Sequence, residues 1–180
     1  MGYLGSKQTK VSSELPDLLG PHLKAIFCGI NPGLRAASLG HHFAGRGNRF
    51  WQVLHLAGFT HTQILPEFDR NILQYGYGIT TAVQRPTARA DELAQSEFFV
   101  AATELVKKLR NFAPRRIAFL GKPAFAAMYR RKNVNWGCKP DCVERTQAWV
   151  LPNPSGLNRG FTVADLVEAY RELHLSIEYG

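Results

Sequence analysis

Three short runs of this sequence are apolar almost from end to end: Lys24-Ala25-Ile26-Phe27-Cys28-Gly29-Ile30, Arg116-Ile117-Ala118-Phe119-Leu120-Gly121 and Gln147-Ala148-Trp149-Val150-Leu151. A strand with one wet face alternates polar and apolar residues, because successive side chains point to opposite sides. These runs have no polar face, so they belong inside a sheet covered on both sides. A shorter strand-like piece stands at Gly78-Ile79-Thr80. Helical spacing fills the intervals. Residues 48–58 bring Phe50, Trp51, Leu54 and Ala57 to one side, and residues 91–111 do the same with Leu93, Phe98, Ala101, Leu105, Val106 and Leu109. A helix over 123–130 carries proline in its first turn. A last one starts near Thr162, with Asp165 as an acidic capping partner, and ends near Leu175. Strands alternating with helices specify an α/β fold, a three-layer sandwich with a central, mainly parallel sheet flanked by helices. Residues 1–20 are polar and punctuated by Gly, Ser and Pro, and read as a flexible or loosely docked arm; residues 21–180 read as one domain.

In such sheets a ligand sits beyond the carboxyl ends of the strands. That rule selects two loops. The first, Gly29-Ile30-Asn31-Pro32-Gly33, would project Asn31 from a stiffened strand end, where an amide can hold and polarise a water; taken alone it is most simply a turn. The second, Leu151-Pro152-Asn153-Pro154-Ser155-Gly156-Leu157-Asn158-Arg159, carries an apolar tip, Leu157, between polar neighbours. An apolar wedge beside arginine is what unstacking a base requires, although a leucine tucked back into the core is the plainer alternative. Between the loops runs Gly40-His41-His42-Phe43-Ala44-Gly45-Arg46-Gly47-Asn48-Arg49-Phe50-Trp51. Phe43 can stack on a base there, and Arg46 and Arg49 can meet phosphates; Phe50 and Trp51 read as core.

The chain has 22 Lys and Arg against 14 Asp and Glu, a formal charge of +8, which suits a polyanionic partner without demanding one. Three cysteines, one of them inside an apolar run, argue against a disulfide framework and for a reducing, cytoplasmic compartment, on the nucleoid if the source is prokaryotic. Cys138 and Cys142 are spaced like half of a metal knuckle, with no second Cys/His pair to complete four ligands. His41 and His42 could serve as ligands or as acid–base groups but lack neighbouring Cys or carboxylate partners. No metal or cofactor is expected. No apolar stretch reaches the ~20 residues of a membrane-spanning helix. The Gly-rich phosphate-binding helix starts of nucleotide-binding α/β proteins are not found.

Several blocks, in order, resemble the mismatch-specific uracil-DNA glycosylase and thymine-DNA glycosylase family, within the uracil-DNA glycosylase superfamily. They are Gly-Ile-Asn-Pro-Gly-Leu at 29–34, Gly-His-His-Phe at 40–43, Asn-Arg-Phe-Trp at 48–51, Gly-Ile-Thr at 78–80, Arg85-Pro86-Thr87, Leu-Gly-Lys at 120–122 and Leu-Pro-Asn-Pro-Ser-Gly-Leu at 151–157. The resemblance implies a uracil-DNA glycosylase-like fold with Asn31 as the residue that positions the attacking water. It implies a base pocket formed by Gly29, Ile30, Gly33, Ala36, His42, Phe43, Thr81 and Asn153, with Phe43 stacking on the extruded base. It implies a DNA-entering loop of Ser155, Gly156, Leu157, Asn158 and Arg159, with Arg46, Asn48 and Arg49 beside it. The partner implied is duplex DNA holding a G·U or G·T mismatch, acted on by a monomer.

Breaking an N-glycosidic bond expels the base as an anion while the sugar becomes oxocarbenium-like, and fixed backbone N–H donors can stabilise that anion. A neutral asparagine activates water only modestly, so the chemistry would favour weakly paired bases that flip easily. Ala36 replaces the serine of several bacterial members, and His41-His42 is closer to the thymine-excising branch. The Asn-Pro-Ser-Gly-Leu tip is of the uracil type, and Thr81 stands where relatives have Lys or Asn. The expected activity is therefore removal of uracil opposite guanine, with thymine as a second substrate. The alternatives are a broader uracil or damaged-base glycosylase and a mismatch-binding module without catalysis.

Overall fold

The computed structural model describes residues 15–180, and of residues 141 and 142 only the backbone. Five strands form one sheet: β1 Ala25–Gly29, β2 Tyr77–Thr81, β3 Arg116–Leu120, β4 Gly137–Val143 and β5 Thr146–Leu151. Their order is β2-β1-β3-β5-β4. All neighbours pair parallel except β4 with β5. The three runs expected as buried strands are the three central ones. In β1 successive side chains enter different cores: Ala25 and Phe27 join one, Ile26 and Cys28 the other.

The described residues form five α-helices: α1 Leu34–Leu39, α2 Phe50–Leu56, α3 Gln95–Phe112, α4 Lys122–Met128 and α5 Val163–Tyr179. One core contains Phe50 and Leu54 of α2 and Leu166 and Tyr170 of α5, packed on Phe27, Ile79 and Trp149. The opposite core sets Leu105 and Leu109 of α3 and Phe125 of α4 against Ile26, Phe119 and Val150. This is the expected α/β sandwich. β1 is followed by β2 on one side, while β3 leads to β5 on the other, so the crevice between the carboxyl ends of β1 and β3 is the switch point where such sheets place ligands.

Several elements differ from expectation. The long helix starts at Gln95 rather than 91, because the Glu97 carboxylate accepts from the Ala94 amide at 2.8 Å and caps the helix there. A separate 3-10 turn covers Ala90–Glu92. The final helix keeps its Thr162–Asp165 capping box but runs to Tyr179. Short α1 and a ten-residue 3-10 segment, Pro66–Tyr75, were not marked by any apolar period. The Cys138–Cys142 stretch forms antiparallel edge strand β4, with an irregularity between those two residues where Pro140 is tolerated.

Most of the expected N-terminal arm lies outside the described residues. Its last six residues are described: Leu15 and Leu18 are buried, and Leu18 exchanges backbone hydrogen bonds with Ile79 at 2.9 and 2.8 Å. Leu15 and Leu18 are thus docked on the body rather than held in a loose arm. Among the described residues no helix is long and apolar enough to cross a membrane.

Candidate active site

Asn31 follows β1 and is half-buried. Its Nδ2 donates to the Arg85 carbonyl at 2.9 Å and to Thr87 Oγ1 at 2.7 Å. A carbonyl accepts only, so the amide nitrogen must face it, and the orientation of the side chain is fixed. Both N–H groups are thereby used. Among the described residues nothing bonds Oδ1, the atom able to accept from a water. Thr87 is buried and passes the contact on by donating Oγ1–H to the Arg89 carbonyl at 2.7 Å. Backbone bonds lock the two loops together, Leu34 N to Thr87 O at 3.2 Å and Thr87 N to Pro32 O at 3.1 Å. Arg85 in turn grips Glu97 through two bonds of 2.8 and 3.0 Å, which ties the loop to the start of α3. Hydrogen bonding to Arg85 holds the Glu97 carboxyl down at about 2.

Gly29, two residues before Asn31, opens the space beside it. A β-carbon there would stand 3.7 Å from the Phe43 ring and 3.7 Å from Thr81 Cγ2. Phe43 has a positive φ of 56° and lies on Phe50 with ring centroids 3.8 Å apart. Among the described residues the buried hydroxyl of Thr81 has no hydrogen-bond partner. Gly29, Phe43 and Thr81 thus converge. Gly33 caps the start of α1, and Ala36 is buried in its first turns. The amides of Arg35 and Ala36 have no helical carbonyl one turn back and supply N–H donors at the strand end.

The second loop is braced from within and from below. Asn153 Oδ1 accepts from Ser155 N at 2.9 Å, Ser155 Oγ from Leu157 N at 3.2 Å and Asn158 Oδ1 from Gly160 N at 3.3 Å. Tyr170 donates its hydroxyl to the Pro152 carbonyl at 3.2 Å. These bonds hold the loop around Leu157, which is 69% exposed, the most of the exposed leucines. Gly156 meets the connection from the first loop backbone to backbone: a β-carbon would fall 2.8 Å from the Gly47 carbonyl oxygen and 3.2 Å from that of Arg46. No other residue fits there. Arg46 and Arg159 are exposed, as a phosphate contact requires, and Ser155 is half-buried.

Five of the expected site residues have other duties here. The Arg49 guanidinium turns inward and donates to four carbonyls, Phe161 at 2.6 Å, Asn158 at 2.8 Å, Ser155 at 3.0 Å and Pro154 at 3.4 Å. It builds the loop and is not offered to phosphate. Asn48 Oδ1 caps α2 by accepting from Phe50 N at 3.0 Å. Asn158 spends its amide nitrogen on the Asn153 carbonyl at 2.8 Å. His42 is buried, with Nε2 2.9 Å from the Pro16 carbonyl and its amide on Asp69 at 2.8 Å, so it belongs to the scaffold. The Ile30 side chain points to the other core, against Gly121, and only its backbone remains at the strand end. Asn153 Oδ1 is used in the turn, and among the described residues its Nδ2 makes no hydrogen bond.

The clamp of Arg85, Thr87 and Glu97 was not expected. Its signal was available, since residues 85–87 follow the carboxyl end of β2 and the same strand-end rule applies. A pocket of about 390 Å³ lies behind β2 against α3, lined by Val83, Val100, Ala101 and Leu105; Thr81 and Glu97 also reach it, but Asn31, Gly29 and Phe43 do not.

The model of the uracil DNA glycosylase superfamily matches residues 16–174, nearly the whole described chain. The chain belongs to that superfamily. Among solved structures it is similar to the solution NMR structure of a Methanosarcina acetivorans protein whose assignment as a uracil DNA glycosylase is itself provisional, with a TM-score of 0.58 and 20% identity. The match covers 89% of this chain and 97% of that one. At that identity the likeness speaks for the fold, and it agrees with the sandwich described above.

Proposed function

We propose that this superfamily member is a monofunctional DNA glycosylase that hydrolyses the N-glycosidic bond of uracil mispaired with guanine in duplex DNA, with thymine opposite guanine as a second substrate. The observation that carries the reading is the Asn31 amide, whose two N–H groups are both engaged, which leaves Oδ1 to accept from water two residues from Gly29. Oδ1 accepts a hydrogen bond from water and orients its lone pair toward the sugar carbon. Phe43 provides the stacking face for the extruded base, and the first-turn amides of α1 stabilise the charge it carries away as the bond breaks. The proton of the attacking water passes to solvent, because asparagine cannot keep it. Leu157 fills the gap left in the duplex, with Arg46 and Arg159 available to phosphates.

The preference for mismatches follows from the modest activation that a neutral amide can provide. Extrusion costs a few kcal/mol and is least for a poorly paired base. The buried Ala36, without a hydroxyl, leaves an apolar wall compatible with a 5-methyl group. Base release from G·U, G·T, A·U and single-stranded uracil substrates under single-turnover conditions tests the proposal. Fastest release from G·U is expected, with slower release from G·T. Equal rates on A·U and G·U would overturn the mismatch preference, and no release from any substrate would overturn the glycosylase reading.

A further inference from the structure

Beyond the Leu157 loop, two lysines converge on an exposed tryptophan. Lys122 opens α4 directly after β3, and its Nζ stands 4.4 Å from the centre of the Trp136 ring. Lys139, on β4, donates from Nζ to the Trp136 carbonyl at 3.2 Å. The other two tryptophans, Trp51 and Trp149, are core residues, whereas Trp136 is 38% exposed. Its ring meets Phe161 edge-on, with centroids 5.5 Å apart. The Phe161 carbonyl is one of those held by Arg49, and Gly121 donates its amide to the Leu151 carbonyl at 2.8 Å. The cluster therefore shares the carboxyl-end rim of the sheet with Asn31 and Leu157.

Among the described residues neither lysine has a carboxylate partner, although other cations of the chain do. Burial holds the Lys139 ammonium below the usual lysine range, and the nearby Lys122 charge pushes the same way. Two like charges held at one aromatic repel unless an anion joins them. An exposed indole flanked by ammonium groups without carboxylate partners among the described residues matches the surfaces that track a nucleic-acid strand, cations on the backbone and an aromatic beside them.

We propose that Lys122, Trp136 and Lys139 form a second DNA contact, which holds a phosphodiester backbone beyond the Leu157 loop. This rests on the reading of that loop as the one that enters duplex DNA.

The test measures duplex binding by the full chain across a salt series, for wild type, the Lys122→Gln/Lys139→Gln pair and a charge-matched control, Lys107→Gln/Arg110→Gln. The control residues lie on α3 and are ion-paired to Glu104 and Glu144. Each phosphate contact contributes about 0.9 to the slope of log affinity against log salt, so loss of both lysines lowers the slope by about 1–2. Affinity at the lowest salt falls roughly tenfold by the same relation. Duplex should also shield Trp136 emission from iodide, with Trp136→Phe identifying that share of the fluorescence. A slope that moves no more than the control, or emission that duplex leaves fully accessible, overturns the contact. Uracil release is followed in the same wild-type samples. Release with an unmoved slope overturns this contact alone, whereas a lowered slope without any release supports the contact and overturns the glycosylase reading.

Discussion

Thr87 Oγ1 accepts a 2.7 Å hydrogen bond from Asn31 Nδ2, so the residue proposed to orient water is itself oriented from a loop 56 positions away. Replacing Thr87 by valine keeps the shape but leaves one Asn31 N–H without its acceptor, which costs about 1–3 kcal/mol where water cannot substitute. The amide then rotates among alternatives, and base release should fall roughly tenfold to a hundredfold, 1.4 kcal/mol being a factor of ten. Asn31→Ala should remove about 10²–10⁴ of the rate, the range of a positioned proton-accepting group. Duplex affinity, measured by anisotropy, should be kept in both variants. Full activity in Asn31→Ala would end its catalytic assignment.

Arg49 makes a different prediction from an ordinary DNA-binding arginine. Its four carbonyl partners hold the 154–161 loop in shape, so Arg49→Ala should cost roughly 1.5–3 kcal/mol of stability, the range for hydrogen bonds to a charged group. Arg49→Lys should recover little of it, because one ammonium cannot span acceptors arranged for a planar fork. Thermal unfolding gives the loss, and faster proteolytic cleavage within residues 153–161 would locate it. A melting temperature unchanged in Arg49→Ala would return Arg49 to the surface.

These two residues also mark how far the sequence could be read. The central strands were legible because continuous burial leaves no polar period, and the strand-end rule located Asn31 and the Leu157 loop. Side-chain direction was not legible. Arg49 and Arg46 are alike in a basic loop, yet one faces four carbonyls and the other solvent, and only the packed loop distinguishes them. Ile30 sits one residue past Gly29 and so faces the opposite core, a consequence of strand alternation that the base-pocket expectation overlooked. Strand β4 escaped notice because an edge strand with proline, glycine and an irregular register has neither an apolar run nor an alternation.

Leu157 is so exposed that truncating it should leave stability within about 0.5 kcal/mol, as for ordinary surface sites. Its expected effect is on function alone. Leu157→Ala should slow release from a stably paired duplex more than from a single strand, where no gap needs filling. Equal losses on both substrates would show that Leu157 is not a wedge.

The Arg85–Glu97 pair gives a pH dependence with a definite sign. The Glu97 carboxyl is held at about 2, below its ordinary 4.5, chiefly by hydrogen bonding to Arg85. Its stabilising effect is therefore complete above pH 4.5 and is lost as pH falls toward 2. Melting curves of wild type and Glu97→Gln should differ most at neutral pH and converge on acidification over that window. A gap that stays constant down to the acid end would contradict the pairing. Because Arg85 also supplies a carbonyl to Asn31, Glu97→Gln should slow base release at pH 7 as well.

Gly29 offers the most direct test of where the base goes. It lies in a central strand without a positive φ, and an added β-carbon would make ordinary contacts of 3.7 Å with Phe43 and Thr81. Alanine there should fold as well as glycine or better, since glycine inside a strand is worse than alanine by roughly 0.5–1 kcal/mol. The same methyl group, however, stands between the proposed stacking ring of Phe43 and Thr81, where the extruded base is proposed to lie near Asn31. Gly29→Ala should therefore keep or raise the melting temperature while base release drops at least tenfold, and larger aliphatic residues should add destabilisation to that loss. If Gly29→Ala releases uracil at the wild-type rate, the base does not enter between Phe43 and Thr81, and the pocket must be sought elsewhere along the strand ends.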